Sequence, residues 1–186
     1  MALSDRTQKV NFVISLKGME DEGSKFEFKN LVYTALSSFN CPEFAFILHD
    51  LDTAEDGTLK TPHIHIYAKF QKVKRLGTFL NDLARALEIN PLAISVEKCV
   101  SMESSVQYLI HKNDLEKYQY SMQEIVTNIP REELALLLDR PVEAFNVDFI
   151  IESWKASSNQ AEFVKRIGLE RYRLYRNVIQ DLVKSL

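Results

Sequence analysis

Cysteine and histidine are scarce in this chain of 186 residues, which holds two of the first and four of the second. Two thiols, Cys41 and Cys99, cannot build a disulfide framework. Each lies beside apolar residues, so both read as ordinary, partly buried thiols of a reducing cytoplasm. Glycine and proline are sparse as well, at five each, which excludes collagen-like and linker-like chains. No apolar run approaches the roughly 18 residues of a membrane-spanning helix, so no membrane partner is expected. The opening Met1-Ala2-Leu3-Ser4-Asp5-Arg6 lacks a charged stretch followed by an apolar one, so no signal peptide is expected either. An excess of positive charge is also missing. The net charge is −3, unlike a protein that coats a nucleic-acid duplex, so any such contact must come from a local patch or follow neutralisation of acidic side chains by a metal ion. What the chain does have is apolar mass: 46% hydrophobic residues and 11 phenylalanines exclude disorder and allow a sizeable core.

The apolar residues are patterned. Val10 to Leu16 alternates as a half-buried strand, with Val10, Phe12, Ile14 and Leu16 on one face. Residues 25–38 carry Phe28, Leu31, Val32, Ala35 and Leu36 at helical spacing. Phe44 to His49 reads as a second strand and Pro62 to Phe70 as a third, joined by a loop with a turn signal at Asp56-Gly57. An amphipathic helix over 74–88, a strand over Ala93–Cys99, a helix over 102–112 capped by Ser101 and a short strand at Glu124–Val126 complete the series. This β-α-β-β-α-β-α-β order predicts an α+β fold. Its form is a ferredoxin-like (RRM-like) antiparallel sheet with helices on one face and the other face free to carry a site. From about residue 129 the pattern is purely helical: Pro130 with Glu132 and Glu133 opens one helix, 142–156 forms another, and Asn159 with Glu162 resembles a capping box for a third. The last helix places Tyr172, Tyr175, Val178, Ile179, Leu182, Val183 and Leu186 on one stripe. The expected division is therefore 1–128 for the sheet domain and 129–186 for a helical region.

Every histidine sits in one of three short segments: His49-Asp50-Leu51-Asp52, His63-Ile64-His65 and Tyr108-Leu109-Ile110-His111-Lys112. On a strand, His63 and His65 point to one side, with Tyr67 and Lys69 continuing that face, while Ile64, Ile66, Ala68 and Phe70 take the other. His49 ends the neighbouring strand and Asp52 follows where the chain turns. Three imidazoles and a carboxylate can converge there on a divalent ion, with Asp50 the alternative to Asp52. A mixed N/O set suits Mn²⁺, Co²⁺, Ni²⁺ or Zn²⁺, and Mg²⁺ less well. The bland alternative is a pair of solvent-facing histidines on a sheet.

At 100° per residue, Val106, Leu109 and Ile110 fall on one side of the 102–112 helix, with Ser104, Tyr108, His111 and Lys112 opposite. Tyr108 is thereby presented with His111 and Lys112 as neighbours. A phenol with an ordinary pKa of about 10 is a poor nucleophile at neutral pH. Lys112 or a nearby metal would favour the phenolate, and His111 can accept its proton or contact a phosphate. A metal ion facing a presented tyrosine is the combination that phosphodiester transesterification needs.

These three segments, with the Asp56-Gly57-x-x-Lys60-x-Pro62 approach to the His-x-His strand, resemble the RepB-like rolling-circle plasmid replication initiators of the HUH endonuclease superfamily, over roughly residues 8–128. The resemblance implies binding of a plasmid double-strand origin, with nicking of one strand in a single-stranded or hairpin segment beside flanking duplex. It implies His49, Asp52, His63 and His65 as ligands of Mn²⁺ or Mg²⁺. Tyr108 would be the nucleophile, forming a 5′-phosphotyrosine link and freeing a 3′-OH that primes synthesis by the host polymerase. No phosphate-binding glycine loop is present, so a helicase would have to be a separate host protein. The helical 129–186 region would assemble a homo-oligomer, in the family a ring. Lys69, Lys112, Arg171, Arg173 and Arg176 are candidate DNA contacts. Competing readings are a single-tyrosine transposase or relaxase, a histidine-triad nucleotide hydrolase (disfavoured because Tyr67 stands where a third histidine is required), and a non-catalytic metal-containing DNA-binding module.

Overall fold

Alternation along the strands decides what each face of the sheet carries. The computed structural model describes residues 6–19, 21–97, 99, 101–140, 147–167 and 179. In it, β1 (Arg6–Ser15), α1 (Glu22–Ser38), β2 (Glu43–His49), β3 (His63–Arg75), α2 (Leu76–Ala86), β4 (Ile94–Glu97), α3 (Met102–Leu109), β5 (Val126–Thr127) and α4 (Arg131–Asp139) follow one another. The five strands form one antiparallel sheet in the order β4-β1-β3-β2-β5. β3 is inserted between β1 and β2, the split arrangement of a ferredoxin-like sheet. The expected α+β architecture is the one observed.

One face is sealed by aromatic and aliphatic packing. Phe12, Ile14, Phe44, Phe46, Ile64, Ile66 and Phe70 are buried against Phe28, Val32 and Leu36 of α1 and Phe79, Leu80 and Leu83 of α2. Phe79 is the hub, edge-on to Phe70 at 4.5 Å, Phe39 at 5.4 Å and Phe12 at 5.9 Å. α1 begins where the Asp21 side chain accepts from Ser24 N–H at 2.8 Å, an N-cap that pins the entry turn. Cys41 is buried in this core, and burial pushes its thiol pKa up to about 11, consistent with an unreactive structural cysteine.

The opposite face is not left bare. Val106 and Leu109 of α3 pack on Ala45 and Ile47 of β2, and Leu134, Leu137 and Leu138 of α4 buttress α3 from behind. Tyr67, expected to share the open face with the histidines, is fully buried under this second layer. The parity of the strands is as read; what alternation cannot show is that α3 folds back across β2 and β3. Gln107, itself buried, ties α3 to the end of α4 by donating to Leu137 O (3.1 Å), Leu138 O (3.2 Å) and Arg140 O. Those carbonyls have no partner within their own helix. α4 therefore belongs to the first compact unit, which closes at Arg140 rather than at the expected residue 128.

Other bounds shift for local reasons. β3 runs to Arg75, past the expected Phe70, because Lys74 and Arg75 still pair with Thr7 and Arg6. α2 accordingly starts at Leu76. In the second unit α5 (Val147–Lys155) and α6 (Gln160–Ile167) pack Trp154 edge-on to Phe163 at 5.2 Å. Asn159 and Glu162 make the anticipated cap: Asn159 Oδ1 accepts from Glu162 N–H at 3.0 Å, and the Glu162 carboxylate accepts from Ser158 N–H at 2.9 Å. The terminal tyrosine stripe, apart from the buried Ile179, lies outside the described residues, as do Arg171, Arg173 and Arg176. Among the described residues no helix is long and apolar enough to cross a membrane.

Truncating Phe46, fully buried at the centre of the first core, is expected to cost about 3–5 kcal/mol in urea unfolding of Phe46→Ala. Leu92→Ala, at a residue 92% exposed, should stay within about 0.5 kcal/mol of the parent.

Candidate active site

Register places the first three imidazoles. His49, the last residue of β2, stands directly opposite His63, the first of β3, and His65 follows two residues on, opposite Ile47. The three rings therefore share one end of one face, with His49 at 4.7 Å from His65 and 5.5 Å from His63 between ring centroids. Asp52 is brought back under them by the turn after β2. Its carboxylate lies 3.5 Å from His49 Nδ1, 3.9 Å from His63 Nε2 and 3.8 Å from His111 Nδ1. Asp50, the alternative to Asp52, is held instead by the ammonium of Lys25 at 3.2 Å.

His111 reaches this cluster by a backbone device. The helix expected to run through 112 stops at Leu109. His111 N–H then donates to Tyr108 O (3.0 Å) and Lys112 N–H to Gln107 O (3.1 Å), the paired bonds of a Schellman ending. His111 takes the left-handed position of that motif, with φ 55°. This swings its ring off the Tyr108 face and into the site, 4.3 Å from His49 and 5.4 Å from Tyr108 between centroids. It turns Lys112 away as well. Lys112 Nζ donates to Leu138 O and pairs with Asp139 at 3.5 Å, so it caps the C-terminus of α4 and does not serve as the cation expected beside Tyr108.

That cation is Lys117. Its Nζ lies 3.4 Å from the Tyr108 hydroxyl and 5.0 Å from the ring centroid, and Asp114 holds it at 2.8 Å. Burial opposes the charge on Lys117, but the Asp114 bond and attraction to Tyr108 outweigh it, and its pKa lies above the ordinary lysine value. Tyr108 itself is 39% exposed and stands edge-on to His65 at 5.1 Å. A second residue outside the expected site is Tyr120. It is buried, stacks on His49 at 4.5 Å with ring planes 8° apart, accepts from Leu51 N–H at 3.0 Å and donates to Asp52 Oδ1 at 3.1 Å. Burial first, and the nearby Asp52 charge next, raise the Tyr120 phenol pKa despite the Leu51 bond, so it persists as a neutral donor that fixes the carboxylate. Both residues lie in the aperiodic stretch after α3, where no hydrophobic pattern singles them out.

The hydrogen bonds determine which nitrogens are free. A carbonyl only accepts, so His49 Nε2 carries its proton toward Leu109 O (2.7 Å), His111 Nδ1 toward Tyr118 O (2.8 Å) and His63 Nδ1 toward Thr61 O (2.9 Å). That leaves His49 Nδ1, His111 Nε2 and His63 Nε2 outside these carbonyl bonds. His49 Nδ1 and His111 Nε2 are buried without a partner. Burial, against the pull of the Leu109 bond, lowers the His49 pKa to about 4, and burial followed by the neighbouring imidazoles lowers that of His65 to about 2. These two rings are therefore neutral at physiological pH, and a lone pair of His49 faces a carboxylate oxygen across 3.5 Å with no proton between them. An acceptor facing an acceptor is unfavourable unless a cation lies between. The donor atoms of His49, His63 and His65 lie within 4.8 Å of one another, as do those of His49, Asp52 and His111. Ligands sharing an ion at about 2.1 Å are up to about 4.2 Å apart. Carbonyl-anchored imidazoles around a hydrogen-bonded carboxylate fit a divalent metal, and the carbonyls are the outer partners such ligands use. The structure thus brings His49, Asp52, His63 and His65 together and adds His111. Lys69 is engaged elsewhere, on Glu43.

With the fold and the cluster in view, the relatives are informative. Residues 27–131, more than half of the chain, match the family described as the plasmid replication protein, origin binding domain, and the chain belongs to that family. It is similar to a replication protein of Onion yellows phytoplasma (strain OY-M), 30% identical in a match that covers 46% of this chain and 24% of that protein. It is also similar to the replication protein RepB of Lactiplantibacillus plantarum, 32% identical over 43% of this chain and 34% of the relative. The matches span about a quarter to a third of the length of these proteins.

The left-handed backbone at His111 gives a direct test of how the ring is delivered. Because only glycine adopts that φ without cost, the metal-free His111→Gly protein should be about 1 kcal/mol more stable than His111→Ala in chemical unfolding, although both lack the imidazole.

Proposed function

We infer that this chain binds a plasmid origin and nicks one DNA strand by transesterification at Tyr108, as the initiating step of rolling-circle replication. The observation that carries the reading is the meeting of two unlike halves. A half-exposed tyrosine with a lysine at its hydroxyl stands edge-on to His65, one of a cluster of imidazoles around one carboxylate. A divalent ion held by His49, Asp52, His63, His65 and His111, with Mn²⁺ favoured by the mixed N/O set and Mg²⁺ the alternative, would polarise the scissile phosphate. The protein's own groups supply the rest. Tyr108 Oη attacks phosphorus, the P–O3′ bond breaks, the phenolic proton is released and the departing 3′ oxygen takes one up. The products are a 5′-phosphotyrosine and a free 3′-OH. The phosphotyrosine conserves the energy of the broken diester, so the strand can be resealed without a nucleotide cofactor. Lys117 lies where it offsets negative charge at the tyrosine oxygen, and Tyr120 and the three carbonyls keep the ligand groups in orientation without having to move.

Within this reading the 3′-OH serves a host polymerase, and unwinding falls to a host helicase in the bacterial cytoplasm. The helices beyond Arg140 join copies of the chain into an oligomer.

Two measurements test the reading. Tyr108→Phe should form no covalent protein–DNA adduct on denaturing gels with single-stranded origin DNA and Mn²⁺, while its metal affinity stays at the parent level; an adduct in this variant would assign the nucleophile elsewhere. His63→Ala, changed at a partly exposed position, should lower Mn²⁺ affinity by tenfold or more in calorimetric titration with unfolding of the metal-free protein shifted by less than about 1 kcal/mol.

A further inference from the structure

Among the described residues, past the rungs it shares with its neighbours, the sheet continues as β1 and β3 alone. Among the described residues β4 pairs as far as Glu97 opposite Asn11, and β2 as far as Glu43 opposite Lys69, whereas β1 and β3 go on to Arg6 opposite Arg75. This extension is basic. Segments 6–9 and 69–75 hold Arg6, Lys9, Lys69, Lys72, Lys74 and Arg75 and not one acid, in a chain whose net charge is −3. Two of these cations are engaged: Lys69 by Glu43, and Lys74 by Phe39 O at 3.2 Å and by the faces of three phenylalanines. Arg6, Lys9, Lys72 and Arg75 are exposed, and none has an ion-pair partner among the described residues.

The pairing sharpens the point. Arg6 faces Arg75 and Lys9 faces Lys69 across the two strands. Like charges directly opposite in an antiparallel pair repel and weaken it. Glu43 relieves the second pair; the first has no such relief among the described residues, and a phosphate lying across it would supply one. The register also shifts between Thr7 and Lys9, so that Gln71, Lys72 and Val73 stand exposed where the strand bulges. Bulges of this kind re-aim side chains.

The exposed chemistry selects the partner. Single strands are held by stacking on exposed aromatic rings. This ribbon exposes none, since Phe70, its one aromatic, is buried. It offers instead guanidinium and ammonium groups, amides and one exposed valine on a two-stranded ribbon, a shape that the major groove of B-DNA admits. We propose that the β1–β3 ribbon is a duplex-DNA docking surface, separate from the His–Asp–Tyr108 site. It holds double-stranded DNA beside the strand presented for nicking, and it rests on the reading of this chain as an origin-binding protein. Along β3, Lys72 is seven residues from His65, about 23 Å, or roughly seven base pairs of duplex.

The test is fluorescence anisotropy of the full chain with a mixed-sequence duplex and its single strand, titrated between about 50 and 200 mM salt. The triple variant R6Q/K72Q/R75Q should bind the duplex at least tenfold more weakly, and its salt slope should fall by about 2.7, the share of three phosphate contacts. Its single-strand and Mn²⁺ affinities should stay within twofold of the parent. R6K/K72R/R75K should keep duplex binding. Unchanged duplex affinity and slope in the neutralised variant overturn the ribbon alone, as does a loss confined to single strands. A parent protein that binds neither probe overturns the origin-binding reading and the ribbon with it.

Discussion

The lone pair of His49 Nδ1 set 3.5 Å from the Asp52 carboxylate is the constraint around which the site is arranged. In a folded interior, a buried acceptor facing another acceptor is costly unless something positive lies between them. Protonation does not resolve it, because burial depresses His49 far below neutrality. Rotating the ring does not either, since its other nitrogen is committed to Leu109 O and its face to Tyr120. The fold thus holds two groups in an arrangement that a bound cation would stabilise. Metal binding and local stability should therefore be linked, a relation found wherever a folded state alone presents the ligands.

Several features of the fold serve to hold that arrangement. β2 and β3 are in register so that His49 and His63 meet, and one residue of slip would send the β3 histidines into the phenylalanine core. α3 folds over the sheet because Val106 and Leu109 have an apolar landing on Ala45 and Ile47. Its Leu109 carbonyl then receives His49, and its Schellman end delivers His111. α4 in turn is anchored by Gln107 and Lys112, whose hydrogen bonds satisfy the last carbonyls of that helix. Residues that carry no chemistry therefore orient those that do.

The strands, their faces and the convergence of His49, Asp52, His63 and His65 were legible because period-two alternation is a strong signal and the histidines mark its parity. The place of Tyr108 on an exposed helix face was legible from helical spacing for the same reason. Extrapolating that helix through 112 was where sequence reasoning failed. Its end depends on His111 accepting a positive φ, which the short polar-tipped residues do more readily than others but which no periodicity announces. Lys117 and Tyr120 were invisible in kind, since residues 110–125 fold by hydrogen bonds to Tyr118 O, Leu51 N and Asp52 rather than by an apolar pattern. The expected boundary at 128 failed because α4 is helical, like α5 and α6 of the second unit, while its leucines complete the core of the sheet domain.

Anomalous diffraction at the manganese edge, from crystals of the chain grown with Mn²⁺, addresses the central claim most directly. The account predicts one strong peak within bonding distance of His49 Nδ1 and the Asp52 carboxylate, surrounded by His63, His65 and His111. The absence of a peak there, or a peak only on surface carboxylates, would contradict it.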